Sequence, residues 1–156
     1  SRTSIYRHFP GGRQQLVAET ATWEVGRFWA GLAEAVAGID SLEERLVRGL
    51  TLGAEQIRGS RIMANLMDPE LDELIDALQP AQPLVQAVMT DYMLELLHSE
   101  RRAGRLVDGV DLDSAADYLT RMIVSVMTSP AGVDLTDERT TRELVRREFT
   151  AGIVAP

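Results

Sequence analysis

The sequence predicts an all-α fold, an antiparallel bundle of helices joined by short connections. Apolar residues recur at spacings of three and four, and no window alternates strictly between apolar and polar residues for more than a few positions. With 156 residues, of which 45% are apolar and 26% charged, the chain is long enough for one domain with its own core. Glycine and proline interrupt the apolar pattern, which indicates brief turns between neighbouring helices.

Helix start and stop signals define the first two body helices. A long helix is predicted over residues 13–36, and Gly38 is expected to close it in the left-handed conformation. Ser41 and Glu44 have the spacing of a capping box, in which each side chain bonds the backbone of the other. This box predicts a second helix that ends near Gly59.

The middle of the chain carries signals for two further helical pieces. Residues 60–67 are predicted as a short helical segment. Asp68, Pro69 and Glu70 then supply an N-cap, a proline at the first helical position and an acid in the first turn. This order predicts a helix that ends before Pro80.

Two longer helices follow. Residues 82–103 are predicted as one helix, with Gly104 as its C-terminal cap. Asp111 or Asp113 is the expected N-cap of the next helix, which ends before Pro130.

The charge distribution separates the first residues from the rest of the chain. All 16 basic residues are arginine, and 24 acidic residues give a formal net charge of −8. Residues 1–13 hold three arginines and no acid, so only this segment is suited to facing nucleic acid. The chain has no cysteine, which excludes disulfides and thiolate metal sites. Because no apolar run approaches the roughly 20 residues that span a bilayer, we expect a cytoplasmic protein without a membrane partner.

Residues 1–16 combine an apolar helical face with hydrogen-bond donors. Ile5 and Phe9 are four residues apart and are expected to share one buried face. Pro10 and the two glycines after it break the helix sharply. The amides that open the following helix, together with Arg13, are suited to holding a phosphate.

The run Ser-x-x-Ser-Ile-Tyr-x-His-Phe-Pro-Gly-Gly-Arg-x-x-Leu over residues 1–16 resembles the end of the helix-turn-helix of TetR-family transcriptional regulators. The resemblance implies that residues 1–12 end a DNA-binding domain and that residues 13–156 form a TetR-like C-terminal domain for ligand binding and dimerisation. It also implies six DNA contacts, two near bases and four on phosphates: Arg2 and Thr3, then Ser4, Tyr6, His8 and Arg13.

The resemblance implies a ligand-responsive regulator, a repressor that a small hydrophobic molecule releases from its operator. In this family the supporting helices of the DNA-binding domain come before the recognition helix, so we expect an N-terminal segment that precedes Ser1. A recognition helix without its supporting helices does not hold its geometry. Binding to operator DNA is therefore expected only with that segment restored.

Methionine and aromatic residues on the body helices predict an apolar pocket for the effector. Methionine adapts to irregular cavities, and tyrosine places one hydroxyl among apolar walls. The expected lining residues are Trp23, Met63, Met67, Met89, Tyr92, Met93, Tyr118 and Met122. The same stripes also fit an ordinary core, and this alternative stays open.

The last two helices are candidates for a homodimer interface. The final helix is predicted from an N-cap at Thr136 to about Ile153. The resemblance implies that these helices pair with those of a second subunit and set two recognition helices roughly 34–36 Å apart. The expected interface residues are Arg121, Val124, Ser125, Thr128, Leu144, Val145, Phe149 and Ile153. The alternative is that this face covers the chain's own core.

Other constellations give no catalytic or metal site. The glycine that follows Asp108 stands in the wrong place for a calcium loop. Glu95 and His98 form only half of the pattern of a di-iron bundle. We therefore expect no enzyme activity, no metal and no cofactor. Two alternatives remain: a helical ligand-binding or dimerisation module without DNA binding, and a helical-bundle enzyme with buried carboxylates.

Overall fold

A computed structural model describes residues 12–59 and 82–155, and these residues form an all-helical bundle. The helices are α1 (Gly12–Val36), α2 (Leu42–Gly59), α3 (Gln82–Arg102), α4 (Leu112–Thr128) and α5 (Glu138–Leu144), and α5 continues into a π-helical turn over Val145–Phe149. Within the described ranges the β pairing is a single antiparallel bridge between Leu106 and Val154. The all-α prediction is confirmed, whereas the helices predicted within residues 60–81 lie outside the described residues.

Helix α2 is at the centre of the bundle. It packs against α1, α3, α4, α5 and the π-helical turn. Its buried side chains recur at helical spacing and include Leu42, Leu46, Val47 and Leu50. Burial of an aliphatic side chain of this size contributes about 1.5–3 kcal/mol, so this stripe anchors the surrounding helices.

The start of α2 follows half of the predicted capping box. The Ser41 hydroxyl accepts a hydrogen bond from the Glu44 backbone N–H at 3.4 Å, as predicted. The Glu44 carboxylate does not reach back to Ser41 but pairs with Arg142 on α5, at 2.9 Å from Nη2 to Oε2. The hydrogen bond from Arg142 lowers the pKa of the Glu44 carboxyl. Glu44 therefore joins α2 to α5 and does not complete the cap at the start of α2.

The end of α1 is held by a side chain and not by a left-handed glycine. The prediction for Gly38 is wrong, because among the described residues this glycine is not one of those with a positive φ. The Arg45 guanidinium instead donates to the carbonyl oxygens of Ala37, at 3.3 Å, and Ile39. A cation at a helix C-terminus satisfies carbonyls that have no partner within the helix. At the end of α3, Gly104 has a φ of 70°, as predicted.

The last helix differs from the prediction at both ends. Asp137, and not Thr136, is the N-cap, and its carboxylate accepts the Thr140 backbone N–H at 3.0 Å. The α-helix stops at Leu144 and the π-helical turn follows, so the helix does not reach Ile153. The Thr150 N–H bonds the Val145 carbonyl at 3.0 Å, a five-residue spacing that belongs to a π-helix.

A buried carboxylate on α3 ties three parts of the bundle together. Glu100 is only 3% exposed. Its Oε1 accepts the Leu42 backbone N–H at 3.1 Å, at the start of α2. Arg105 donates to both carboxylate oxygens, at 2.7 and 2.8 Å, and also bonds the Asp40 carbonyl at 3.1 Å. The charge of Glu100 is thereby matched by a cation and by an amide that would otherwise be buried without a partner.

Candidate functional site

An apolar cavity of about 370 Å³ lies between α1, α2, α3 and the end of α4. Its volume is near the lower end of the range of about 300–1,000 Å³ found for small-molecule sites. The described lining residues are Thr22, Gly26, Trp29, Ala30, Leu32, Ala33, Val36, Arg45, Leu46, Gly49, Leu50, Leu84, Val85, Val88, Met89, Tyr92, Met93, Leu96, Ile123 and Met127.

Helical spacing explains why α1 and α3 form its walls. The lining residues of α1 include Thr22, Gly26, Trp29 and Ala33, which recur every three or four positions. Three glycine or alanine positions on this face leave room beside the helix. On α3 the lining stripe runs from Leu84 to Leu96 and is two residues wide in its first three turns. A stripe of this width faces more than one neighbouring helix.

Among the described residues, four side chains with nitrogen or oxygen atoms border the cavity, those of Thr22, Trp29, Arg45 and Tyr92. The charged end of Arg45 is bonded to carbonyls of Ala37 and Ile39, and neither of these residues lines the cavity. Thr22 already has a partner. The Tyr92 hydroxyl is different, because it is shielded from solvent and has no hydrogen-bond partner in the described part of the chain.

The structure brings three of the predicted pocket residues together. Met89, Tyr92 and Met93 all line the cavity, on one face of α3. Tyr118 and Met122 lie on α4 but do not line it. The Tyr118 hydroxyl donates to the Glu148 carbonyl instead. Two further predicted residues, Met63 and Met67, lie outside the described residues.

The tryptophan of α1 that lines the cavity is Trp29, whereas the sequence predicted Trp23. Trp23 is 59% exposed, and the Arg27 guanidinium lies 4.9 Å from the centre of its ring. The placement of Trp23 in the pocket is therefore wrong for the described lining. Trp23 follows Thr22 by one residue, and one residue turns the side chain by about 100° around a helix. Trp29, seven residues after Thr22, returns to the cavity face and packs edge-on against Phe28.

The candidate dimer residues fall into two groups. Arg121, Val124, Ser125 and Thr128 are exposed along α4. Leu144, Val145, Phe149 and Ile153 are buried within the chain's own core, and Val145 and Phe149 have no exposed surface. A side chain already enclosed by its own subunit presents no area to a second one. For these four residues the structure favours the alternative, in which this face covers the core.

The predicted DNA contacts fall largely outside the described residues. Arg2, Thr3, Ser4, Tyr6 and His8 all precede residue 12, where the description begins. Arg13 lies in the first turn of α1. Since α1 also forms one wall of the cavity, the segment that carries the predicted contacts leads directly into that wall.

Comparison with known proteins finds no match, whether against family models, curated proteins or solved structures. Among the described residues, no helix is both long and apolar enough to cross a membrane. No group of three histidine, cysteine or acidic side chains in the same residues is placed to hold a metal ion.

Proposed function

We propose that the chain is the effector-binding and dimerisation body of a TetR-type transcriptional regulator, a repressor that a small hydrophobic molecule releases from operator DNA. The observation that carries this proposal is the apolar cavity with α1 as one wall. The same helix follows directly on the segment that resembles the end of a recognition helix. A ligand that contacts α1 therefore contacts the helix that directly follows the predicted DNA contacts.

The proposed mechanism is a shift of α1. A ligand changes an equilibrium only by its different affinity for the two states. Contacts from the cavity to α1 favour the position of that helix in which the two recognition helices of a dimer no longer match their half-sites. Coupling of about 1–3 kcal/mol between two such sites is typical, and it changes operator occupancy severalfold or more.

A homodimer belongs to this proposal because two recognition helices are needed for a two-fold operator. The exposed face of α4 supports it. Val124 is an apolar side chain on that face, and Ser125 and Thr128 are small neighbours that allow close helix approach. Arg121 on the same face is paired with Asp117 within its own helix.

A ligand-binding module without DNA binding is the second candidate. The described lining of the cavity comes from residues 22–127, all of which follow the motif in the sequence. A chain with the cavity alone would bind the same ligand and leave DNA untouched.

Replacement of Arg13 by alanine, in the chain together with any residues that precede Ser1 in its gene, distinguishes the two functions. If Arg13 contacts a phosphate, affinity falls for all DNA sequences and the salt slope, log Kd against log salt concentration, decreases by about 0.9. Tyr6→Phe should also weaken binding across sequences, but with the salt slope unchanged, because the tyrosine hydroxyl carries no charge. Fluorescence anisotropy of a labelled duplex at several salt concentrations measures both effects.

Arg27→Ala is the matched control for this test. Arg27 lies on α1 beyond the motif, where it pairs with Glu24 at 3.7 Å. It should leave the salt slope unchanged. Equal slopes for all variants would remove the assignment of Arg13, and no detectable DNA binding by the unsubstituted protein would favour the second candidate.

A further inference from the structure

We infer that the ligand site extends from the cavity, past the Met127 side chain, into a second apolar groove, and that it takes an elongated molecule with an unbranched hydrocarbon chain. This inference deepens the proposed function and rests on it for its biological role. Three observations support it: the groove itself, the side chain that borders both spaces, and the place where that side chain ends.

The groove has a volume of about 400 Å³ and lies between the end of α2, the end of α4 and the loop that follows α4. Arg58 on α2 and Asp134 on the loop form an ion pair at its rim, at 3.0 Å from Nη2 to Oδ1, and both side chains are exposed. The described lining residues that are buried or half-buried are all apolar: Ala54, Ile57, Met127, Val133 and Leu135. Such walls favour a hydrocarbon chain.

Met127 is the described residue that the linings of the cavity and the groove have in common. Its side chain is buried and ends beside Gly53 on α2. A Cβ built on Gly53 would lie 2.5 Å from the Met127 Cε and 3.2 Å from the Leu32 Cδ1. The glycine therefore leaves the space that the methionine methyl occupies, next to Leu32, which lines the cavity.

A methionine side chain can move aside for a ligand. It is unbranched, has three rotatable bonds and adapts to irregular apolar space. A change of rotamer moves Sδ and Cε while α4 stays in place. Because the opening left by one side chain is narrow, it suits an unbranched chain better than a second ring. The cavity alone is near the lower end of the volume range of small-molecule sites, and the cavity and groove together lie well within that range.

Two ligands with the same ring test the inference. They are 4-butylphenol and 4-nonylphenol with straight alkyl chains, which differ by five methylene groups. Isothermal titration calorimetry, with the 156-residue chain injected into the ligand, gives each Kd and the number of ligands bound per chain. We expect one 4-nonylphenol per chain, bound at least about tenfold more tightly than 4-butylphenol, because each methylene that reaches the groove leaves water.

Ala54→Leu isolates the groove, since Ala54 lines the groove and not the cavity. The larger side chain occupies the space of the alkyl chain, so the affinity for 4-nonylphenol should fall at least about fivefold while that for 4-butylphenol stays unchanged. Gln56→Leu is the matched control, because Gln56 is exposed on the same helix and belongs to neither described lining. It should change neither affinity. Gly26→Leu, which fills the cavity from α1, should weaken both ligands.

Met127→Ala tests the side chain between the two spaces. It removes the thioether that the alkyl chain has to displace, so the ratio of the 4-nonylphenol affinity to the 4-butylphenol affinity should increase at least about threefold. Truncation of a buried methionine is destabilising, and the thermal midpoint shows whether this variant is folded. The comparison of Ala54→Leu with Gln56→Leu does not depend on it.

Four results would overturn the inference: equal affinities for the two ligands, a second 4-nonylphenol per chain, an undiminished 4-nonylphenol affinity in Ala54→Leu, or an unchanged affinity ratio in folded Met127→Ala. None of these measurements involves DNA. The expected affinities in a protein that fails to bind DNA would overturn the regulator proposal and support the extended site. Any of the four results in a protein that does bind DNA would have the opposite meaning.

Discussion

Replacement of Gly26 by leucine is expected to weaken binding of a small hydrophobic probe, 4-butylphenol, to the cavity by at least about tenfold. Gly26 lines the cavity from α1, and an added Cβ would have no atom of the described residues within 4 Å. The rest of a leucine side chain therefore enters space that a ligand would occupy. Calorimetric titration of the variant measures the loss.

Gly31→Leu is the matched control on the same helix. A Cβ at Gly31 also has no atom of the described residues within 4 Å, but Gly31 does not line the cavity. Both substitutions remove a glycine from a helix interior, which stabilises the helix by roughly 0.5–1 kcal/mol. The thermal midpoints should therefore rise together while only Gly26→Leu loses affinity. Equal affinities in the two variants would show that the cavity is not where the ligand binds.

Replacement of Glu100 by alanine is expected to lower the free energy of unfolding by about 3 kcal/mol. The substitution leaves the buried Leu42 backbone N–H without its acceptor and takes the carboxylate away from Arg105, which still bonds the Asp40 carbonyl. It also disconnects the end of α3 from the start of α2. Urea denaturation, monitored by far-ultraviolet circular dichroism, gives the change.

Two variants separate burial from the mere loss of a charge. Glu95→Ala removes an exposed carboxylate from the same helix and should change the free energy of unfolding by less than about 0.5 kcal/mol. Arg105→Ala should be at least as destabilising as Glu100→Ala, because it leaves the Glu100 carboxylate, which is 3% exposed, without its cation. A loss in Glu95→Ala as large as that in Glu100→Ala would contradict this account.

Local sequence signals predicted the helices and some of their ends. The predicted range 13–36 differs by one residue from the observed start of α1, and Gly104 takes the left-handed conformation expected of it. These features depend only on residues close in sequence, so the local sequence pattern predicts them. The end of α1, in contrast, depends on a residue of the next helix. Arg45, six residues after Ile39, bonds the loop carbonyls, and such a contact requires the α1–α2 turn to be formed first.

The lining of the cavity was also predicted only in part. Met89, Tyr92 and Met93 share one face of α3, and helical spacing was sufficient to group them. Which of Trp23 and Trp29 lines the cavity depends on which face of α1 is turned toward it, and the sequence does not give that orientation. Leu84 and Val88, which line the cavity while staying exposed, were not predicted. The available signal was the width of the α3 stripe, which exceeds what one neighbouring helix covers.

The final helix shows why the interface prediction mixed two surfaces. Leu144, Val145 and Phe149 have spacings that suit either a dimer face or a core face. Val145 and Phe149, four residues apart, are both fully buried, and the helix changes from α-helix to π-helical turn after Leu144. Sequence periodicity assumes one helix type throughout, and it therefore misses this change.

The most direct test of the regulator proposal is release of DNA by a small hydrophobic molecule that binds the cavity. The protein, with any residues that precede Ser1 in its gene, is used to select duplexes from a random pool, and an enriched duplex is labelled for fluorescence anisotropy. The account predicts that 4-butylphenol weakens binding of this duplex at least about fivefold, and that Gly26→Leu binds the duplex normally but is not released. Failure to enrich any duplex, or unchanged affinity while calorimetry shows the cavity occupied, would contradict it.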